Sequence, residues 1–306
     1  MKAALFTRYG PPEVVQITDV PKPQPKSDEI LVKIKATTIT SGDVRLRASD
    51  FPPLFWLPAR LIFGLFRPKK QILGHELSGT IEAIGEQVTQ FKVGDAIIGT
   101  TTMLRGGAHA EYVCLKEQWK QGVVLHKPET LSFQEVAALP IGGMTALFLL
   151  KKGGLKKGMH VLVHGASGSV GSYALQIAKA YGAQVTTVSS GANFDMLQTL
   201  GADTLIDYKK EDYSAGKATY DMVFDAVGKT SKAEAKKVLS PNGTFVSISS
   251  ITAEKTELLQ EVVDLAVAGK IKPFIDREFS LDAIVEAHRF VDSGRKRGNC
   301  SILLDT

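Results

Sequence analysis

Two cysteines in 306 residues, Cys114 and Cys300, are too few for a disulfide framework or a cysteine-rich zinc site, and they suit a reducing compartment. No apolar run approaches the ~18 uninterrupted residues of a membrane span. The greasiest segment, Phe51 to Phe66, is broken by Pro52, Pro53, Pro58 and Arg60, and the apolar stretch within Met1 to Arg8 is too short for a signal peptide. Charge of one sign is also scarce: 37 basic residues face 32 acidic ones, and the lysine pairs at 69–70, 151–152, 156–157, 209–210 and 236–237 are scattered rather than gathered in a stripe. A cytoplasmic, soluble chain with no membrane and no nucleic-acid partner is therefore expected. The densest basic cluster, Arg295-Lys296-Arg297, reads either as a solvated turn or as a small anion site.

The length allows two domains, each with its own core. The first third has strand-and-turn spacing: Ile30, Val32 and Ile34 alternate with Leu31, Lys33 and Lys35, and glycines punctuate short apolar runs from Ser78 to Gly99. Beyond about residue 125 the pattern changes to short buried-strand runs separated by helical ones. The strand runs are Val161 to Val163, Val185 to Val188, Thr204 to Ile206, Met222 to Phe224 and Thr244 to Ile248. That alternation predicts a parallel, doubly wound α/β sheet. Near the end, Ser280 is placed to cap a helix carrying Ile284, His288 and Val291, which Gly294 would stop, and Ser301 to Leu304 reads as a closing strand. The expected organisation is a β-rich domain of residues 1–125 and 273–306 interrupted by an α/β domain of residues 126–272.

The most informative stretch is Gly165-Ala166-Ser167-Gly168-Ser169-Val170-Gly171, between a strand run and a helical one. It follows G-x-G-x-x-G with Ala166 at the first glycine. Small residues are needed there so that backbone N–H groups at a helix N-terminus can approach a pyrophosphate, although a tight turn with close helix packing would use the same residues. An acid at the end of the second strand would hold the ribose 2′-hydroxyl of NADH. Gln184 to Phe194 contains none, and Asp195 falls where the next helix begins; Ser189, Ser190 and Asn193 instead offer groups to surround a 2′-phosphate, or form an ordinary polar loop. NADPH is the expected cofactor.

These residues resemble the quinone oxidoreductase branch of the medium-chain dehydrogenase/reductase superfamily. The resemblance runs through Gly74-His75-Glu76, Phe91 to Asp95, Gly106 to Val113, Leu139-Pro140 with Thr145-Ala146, Leu200 to Asp203, Ile206-Asp207-Tyr208 and Phe224 to Gly228. It implies a Rossmann doubly wound parallel sheet inserted between the two parts of a GroES-like β-rich catalytic domain. It also implies roles: Thr145 near the nicotinamide, Tyr208 near the adenosine phosphate, Val227 and Ser249 along the cofactor groove. A homodimer through the edge strand Thr244 to Ile248 is a further implication. One departure is the absence of a basic residue in Ser190 to Asn193, where many NADPH-using relatives carry one.

Zinc-dependent relatives place a cysteine before the catalytic-domain aspartate and a cysteine or acid near the domain junction. Here the first place reads Thr40-Ser41-Gly42-Asp43 and the second Ile141-Gly142-Gly143-Met144, so His75 lacks companions and is expected to pair with Glu76 in a structural role. No metal is expected. Without a Lewis acid, electron-poor acceptors such as quinones and α,β-unsaturated carbonyls are the favoured substrates. Thr40 and Asp43 are candidates for proton delivery, or merely stabilise a turn. Phe55, Trp56 and Phe63 could wall a pocket for a small hydrophobic acceptor, or pack on the core or a partner. Two other readings are a residual alcohol dehydrogenase and a non-catalytic NADPH-binding sensor or structural protein. Gly165 to Ser169 approaches the G-x-S-x-G nucleophile elbow but ends in serine, and Tyr213-x-x-x-Lys217 includes the helix breaker Gly216; both are taken as coincidence.

Overall fold

A computed structural model describes residues 1–215 and 219–304. The chain divides into two compact units, Met1–Pro140 with the segment from Ile275 onward, and Ile141–Phe274. In chain order, the first unit contains β1 (Lys2–Phe6), β2 (Val15–Asp19), β3 (Glu29–Thr38), α1 (Ser41–Ala48), α2 (Pro53–Phe63), β4 (Glu76–Ile84), β5 (Ala96–Thr100), β6 (Tyr112–Lys116), β7 (Val124–His126) and α3 (Phe133–Ala137). After α4 (Pro140–Lys152), the second unit has β8 (His160–His164), α5 (Ser169–Ala180), β9 (Gln184–Ser189), α6 (Phe194–Thr199), β10 (Thr204–Asp207), β11 (Tyr220–Asp225), α7 (Lys232–Lys236), β12 (Leu239–Ser247) and α8 (Thr256–Val267). The chain then returns to the first unit with β13 (Ile275–Ser280), α9 (Ile284–Asp292) and β14 (Asn299–Leu303).

In the first unit β3 organises the main sheet, ordered β13-β14-β3-β4-β5-β7, with β6 also paired to β3. Along one side β3 is antiparallel to β4; along the other it takes β6 over Glu29 to Lys33 and β14 over Ala36 to Thr38. Ile30, Val32 and Ile34 lie in the core, as their alternation implies. The closing strand thus does return to the β-rich unit. The expected boundary near residue 125 is corrected: residues 126–140 belong to the first unit, because α3 packs on β3 and β4 and Ser78 Oγ donates to the Phe133 carbonyl at 2.6 Å.

The second unit is a parallel sheet ordered β10-β9-β8-β11-β12. Val161, Leu162 and Val163 of β8 are fully buried at its centre. The chain steps outward through β9 and β10, then returns to the other side of β8 for β11 and β12. That reversal opens a crevice at the carboxyl ends of β8 and β11, the place where such sheets bind ligands. Asp195 is indeed a first-turn acid, on α6. No helix among the described residues is long and apolar enough to cross a membrane. Lys217 of the Tyr213-x-x-x-Lys217 spacing lies outside the described residues.

Ser280 caps a short 3-10 turn, Leu281 to Ala283, which runs into α9; Ile284, Ala287, His288 and Val291 are the buried face, and Gly294 at φ 67° ends the segment. Within that face His288 is fully buried, neither ring nitrogen has a hydrogen-bond partner, and its ring packs edge-on to His109 at 6.0 Å. Burial, reinforced by His109, drops the His288 pKa from its ordinary 6.5 to about 3, and burial likewise lowers that of His109. Both rings therefore fold neutral but protonate in the unfolded chain below the ordinary imidazole value. Stability from this pair is present above about pH 6.5 and is lost as pH falls toward the depressed folded values. We expect Tm to fall steeply between pH 7 and 5, and His288→Leu to remove roughly one proton's share of that slope; an unchanged slope would contradict it.

Candidate functional site

β8 ends at His164 and α5 begins at Ser169, so Gly165 to Gly168 must turn the chain from sheet to helix. The left-handed position is Gly165, at φ 78°, with its N–H donating to the Val188 carbonyl at 2.9 Å. This falls one residue before the first small position of the fingerprint, which is why fully buried Ala166 serves where a glycine is usual. A Cβ on Gly171 would stand 2.3 Å from the Gly165 carbonyl oxygen and 2.7 Å from Ala166 Cα, so α5 is locked against the turn there. A Cβ on Gly165 would meet Val227 Cγ1 at 2.4 Å. Gly168 is different, with no atom nearer than 3.7 Å to such a Cβ. It is also the N-cap of α5 and supplies no capping side chain, so the first turn of the helix begins beside a half-buried Gly168.

The remaining cofactor candidates converge on the same carboxyl edge. Asp225, fully buried at the end of β11, accepts the N–H groups of Val227 (3.2 Å), Gly228 (3.0 Å) and Thr230 (3.2 Å) and the Ser247 hydroxyl (3.1 Å). Burial alone would raise its pKa; His164 and these donors hold it below the ordinary carboxylate range. The result is a loop that suspends Val227 over Gly165 and brings Gly228 beside Ser249, whose N–H donates to Ser247 Oγ at 3.2 Å. Thr145 lies on α4 three residues past Gly142, where a Cβ would stand 2.3 Å from Ser169 Oγ; α4 is pressed against the start of α5. At the far end Ser189, Ser190 and Asn193 form one polar turn, with Ser189 Oγ donating to the Ser190 carbonyl at 3.1 Å and Asn193 Nδ2 to Ser190 Oγ at 3.4 Å. Tyr208 is exposed beside it and donates its N–H to the Ser189 carbonyl at 3.2 Å.

Asp207 was not among the candidates. It pairs in register with Ser189, and Oδ2 would stand 2.8 Å from a Cβ on Gly191, so a carboxylate does border this turn. The search for an acid followed the second strand alone, whereas the parallel register supplies one from its neighbour. The same neighbour delivers Lys209 and Lys210, both exposed, just after Tyr208. Asp225 was legible only as part of a motif, and its role emerges from the four donors that it gathers.

In the first unit, Thr40 and Asp43 are brought together, but as a capping box at the start of α1. Asp43 Oδ2 accepts from Thr40 N (2.8 Å) and Thr40 Oγ1 (2.6 Å), Thr40 Oγ1 accepts from Asp43 N (3.1 Å), and Asp43 Oδ1 accepts from Gly74 N (2.8 Å). The His75 Nδ1 atom lies 3.2 Å from the same Oδ1. Burial would raise the Asp43 pKa, but His75, His109 and the Thr40 bonds overcome it and hold it at about 2. In this arrangement the Asp43 carboxylate is enclosed, and the pair caps α1 and positions His75, as the turn-stabilising alternative describes. Nor do His75 and Glu76 pair with each other, since Glu76 accepts from the Thr38 hydroxyl. Among the described residues no three His, Cys, Asp or Glu side chains are grouped to hold a metal ion. At the junction the glycines are needed for helix packing: a Cβ on Gly143 would stand 2.6 Å from Val262 Cγ1. The Arg297 guanidinium is engaged by Asp276 at 2.7 and 2.9 Å, so the basic cluster does not form an open anion pocket.

Phe63 stacks on Phe51 and lines an apolar cavity of about 250 Å³ shared with Phe6, Leu46, Leu73, Met103 and Leu104. Phe55 and Trp56 do not line it. Phe55 is exposed, and Trp56, partly exposed, lies beneath the Arg60 guanidinium at 5.3 Å, on the side where Arg60 also sits 3.8 Å over the Tyr9 ring.

Comparison with known proteins accords with this geometry. Residues 26–129 match the alcohol dehydrogenase GroES-like domain, and residues 169–270 and 249–300 match two models described as zinc-binding dehydrogenase. The chain is 33% identical to the 2-methylene-furan-3-one reductase of Solanum lycopersicum, the alignment covering 99% of this chain and 79% of that protein. The chain belongs to the medium-chain dehydrogenase/reductase superfamily, in its quinone oxidoreductase-like branch. It is 31% identical to the chloroplastic quinone-oxidoreductase QR1 of Triphysaria versicolor, over 94% of this chain and 93% of the relative. The quinone oxidoreductase structure from Coxiella burnetii superposes with TM-score 0.85 at 27% identity, covering 100% and 99% of the two chains. As a member of this branch the chain is an oxidoreductase that uses a nicotinamide cofactor.

The turn makes opposite demands at two glycines. Gly171→Val should destabilise the fold by about 2 kcal/mol or more, since the obstruction is backbone. Gly168→Val should leave Tm within about 1 kcal/mol equivalent yet abolish the thermal upshift produced by reduced pyridine nucleotide; equal behaviour of the two variants would refute this assignment.

Proposed function

We propose that this chain is an NADPH-dependent, zinc-independent reductase of quinones and α,β-unsaturated carbonyls. The observation that carries the reading is the open backbone at Gly168 between the crowded glycines 165 and 171. These residues fit a dinucleotide: the loop from Ala166 to Gly171, at the N-terminus of α5, would hold the pyrophosphate, with Thr145, Val227 and Ser249 along the groove. Ser189, Ser190 and Asn193 would surround the 2′-phosphate beside Tyr208, with Lys209 and Lys210 supplying the positive charge that the serine turn lacks. The Asp207 carboxylate opposes that charge, and its acceptance of the Lys209 N–H at 3.0 Å turns part of it away toward the backbone. When bound, the reduced nicotinamide supplies a hydride.

The residues beside His75 do not fit the zinc of the metal-dependent relatives, because Thr40 stands where a cysteine thiolate is needed and, among the described residues, no second thiolate is near. An acceptor whose carbonyl needs strong polarisation therefore gains little here, whereas a quinone or enone requires mainly alignment and exclusion of water. The apolar cavity bounded by Phe63, Leu73 and Met103 is the proposed acceptor chamber. Asp43 carries no proton to give at neutral pH, so the proton that completes reduction comes from solvent. The open edge of β12 is proposed to pair with a second copy, giving twice the chain mass by light scattering.

Steady-state oxidation of NADPH with a panel of quinones, enones and simple aldehydes tests this. Turnover is expected with the first two classes, unchanged after treatment with a chelator, and with NADPH bound at least about tenfold more tightly than NADH. Equal affinities would remove the NADPH assignment. Loss of activity on chelation would reinstate a metal, and tight binding with no turnover on any acceptor would favour a cofactor sensor.

A further inference from the structure

Eight of the fifteen exposed large apolar side chains among the described residues fall between Leu54 and Phe66: Leu54, Phe55, Trp56, Leu57, Leu61, Ile62, Leu65 and Phe66. No residue of α2 is buried, although the helix is mostly apolar. Met103 and Leu104, also exposed, extend the same face, since they meet Ile62 and Phe63 around the cavity. A contiguous apolar patch of this extent marks a surface that something covers. Nor is it a helix awaiting a core. Arg60 binds Ser49 Oγ at 3.1 Å and lies over the Tyr9 ring, Tyr9 donates to the Gly64 carbonyl at 2.9 Å, and Lys69 donates to the Leu61 carbonyl at 2.7 Å. The helix is fastened with its apolar side outward.

Beyond the exposed Asp50 that precedes it, the charge carried by this segment is of one sign. From Phe51 to His75 there is no aspartate or glutamate, while Arg60, Arg67, Lys69 and Lys70 are all basic. Arg67 and Lys70 are exposed at the rim. Tryptophan, phenylalanine and leucine on an outward face with a basic border are the features of a segment that lies in the plane of a bilayer interface. A second copy would bring the same basic rim against itself, whereas an anionic surface complements it.

We propose that α2 and the loop to Lys70 form a docking face for membranes bearing anionic lipid, with the aromatic side chains entering the headgroup layer and Arg67 and Lys70 meeting the lipid phosphates. This revises the expectation of no membrane partner, which followed from the lack of a spanning run: a chain can lie on a bilayer without crossing it. The inference does not rest on the cofactor assignment, and its face borders the cavity proposed for the acceptor, sharing Ile62, Met103 and Lys70 with it.

The test is flotation of the full-length protein with phosphatidylcholine vesicles and with vesicles in which about a third of the lipid is phosphatidylglycerol. Binding is expected to the anionic vesicles, weakened by high salt. It should be cut about tenfold or more by Arg67→Glu/Lys70→Glu, and abolished by Phe55→Ser/Phe66→Ser with Tm unchanged. Trp119→Phe leaves Trp56 as the sole tryptophan, and its emission should shift to the blue on vesicle addition and be quenched by brominated lipid. No partitioning of the unsubstituted protein into anionic vesicles, or a Trp56 emission that does not move, would overturn the proposal. So would a halving of solution mass by Phe55→Ser/Phe66→Ser, which would give the face to a second copy.

Discussion

The second unit depends on how closely a helix can approach the strand that precedes it. Gly171 lets α5 sit so near the β8 turn that a single methyl group would collide with two backbone atoms, and Gly165 takes the left-handed conformation that makes the approach sterically accessible. With α5 fixed there, its N-terminus faces the carboxyl edge of the sheet, and Gly168 is left as the glycine of the turn where a methyl group would meet nothing closer than 3.7 Å. Packing at two glycines creates vacancy at the third. Val227 and Asp225 depend on the same arrangement, since the loop Asp225 ties together lies over Gly165.

In the first unit the organising group is a buried charge. Asp43 receives three N–H or O–H donors and lies beside His75, which joins the start of α1 to Gly74 and to the strand that follows. A carboxylate so enclosed is costly unless every partner is present, and its occupation by backbone donors leaves it a structural anchor. The residues that would bind zinc in metal-dependent relatives have here been turned to capping and helix packing, at Thr40 and at Gly142 and Gly143 respectively.

Much of the fold was legible because its signals are local. Strand periodicity, the small residues of the βα turn and the final strand each depend on neighbours in sequence, and the order of motifs from Gly74 to Gly228 identified the branch. The boundary at residue 140 was not legible, since the attachment of α3 to β4 is a long-range contact between Ser78 and Phe133. Asp207 was missed for a similar reason: it reaches the cofactor turn through strand register, which no sequence window spans. Phe55 and Trp56 were legible as apolar residues fit for a pocket wall, the core or a partner contact, and the sequence could not choose among them. The contacts of Arg60 with Tyr9 and Trp56, which attach α2 to the body, are not visible in any sequence window.

The proposed chemistry is hydride delivery from a dinucleotide at the Gly168 turn to an electron-poor carbon, without metal polarisation of a carbonyl. Its most direct test is to run chelator-treated protein with NADPH deuterated at the transferable position and an α,β-unsaturated ketone, and to locate the label by mass spectrometry. Deuterium at the β-carbon of a saturated ketone is predicted. Deuterium at the carbonyl carbon of an allylic alcohol, or label transfer that needs added zinc, would contradict it.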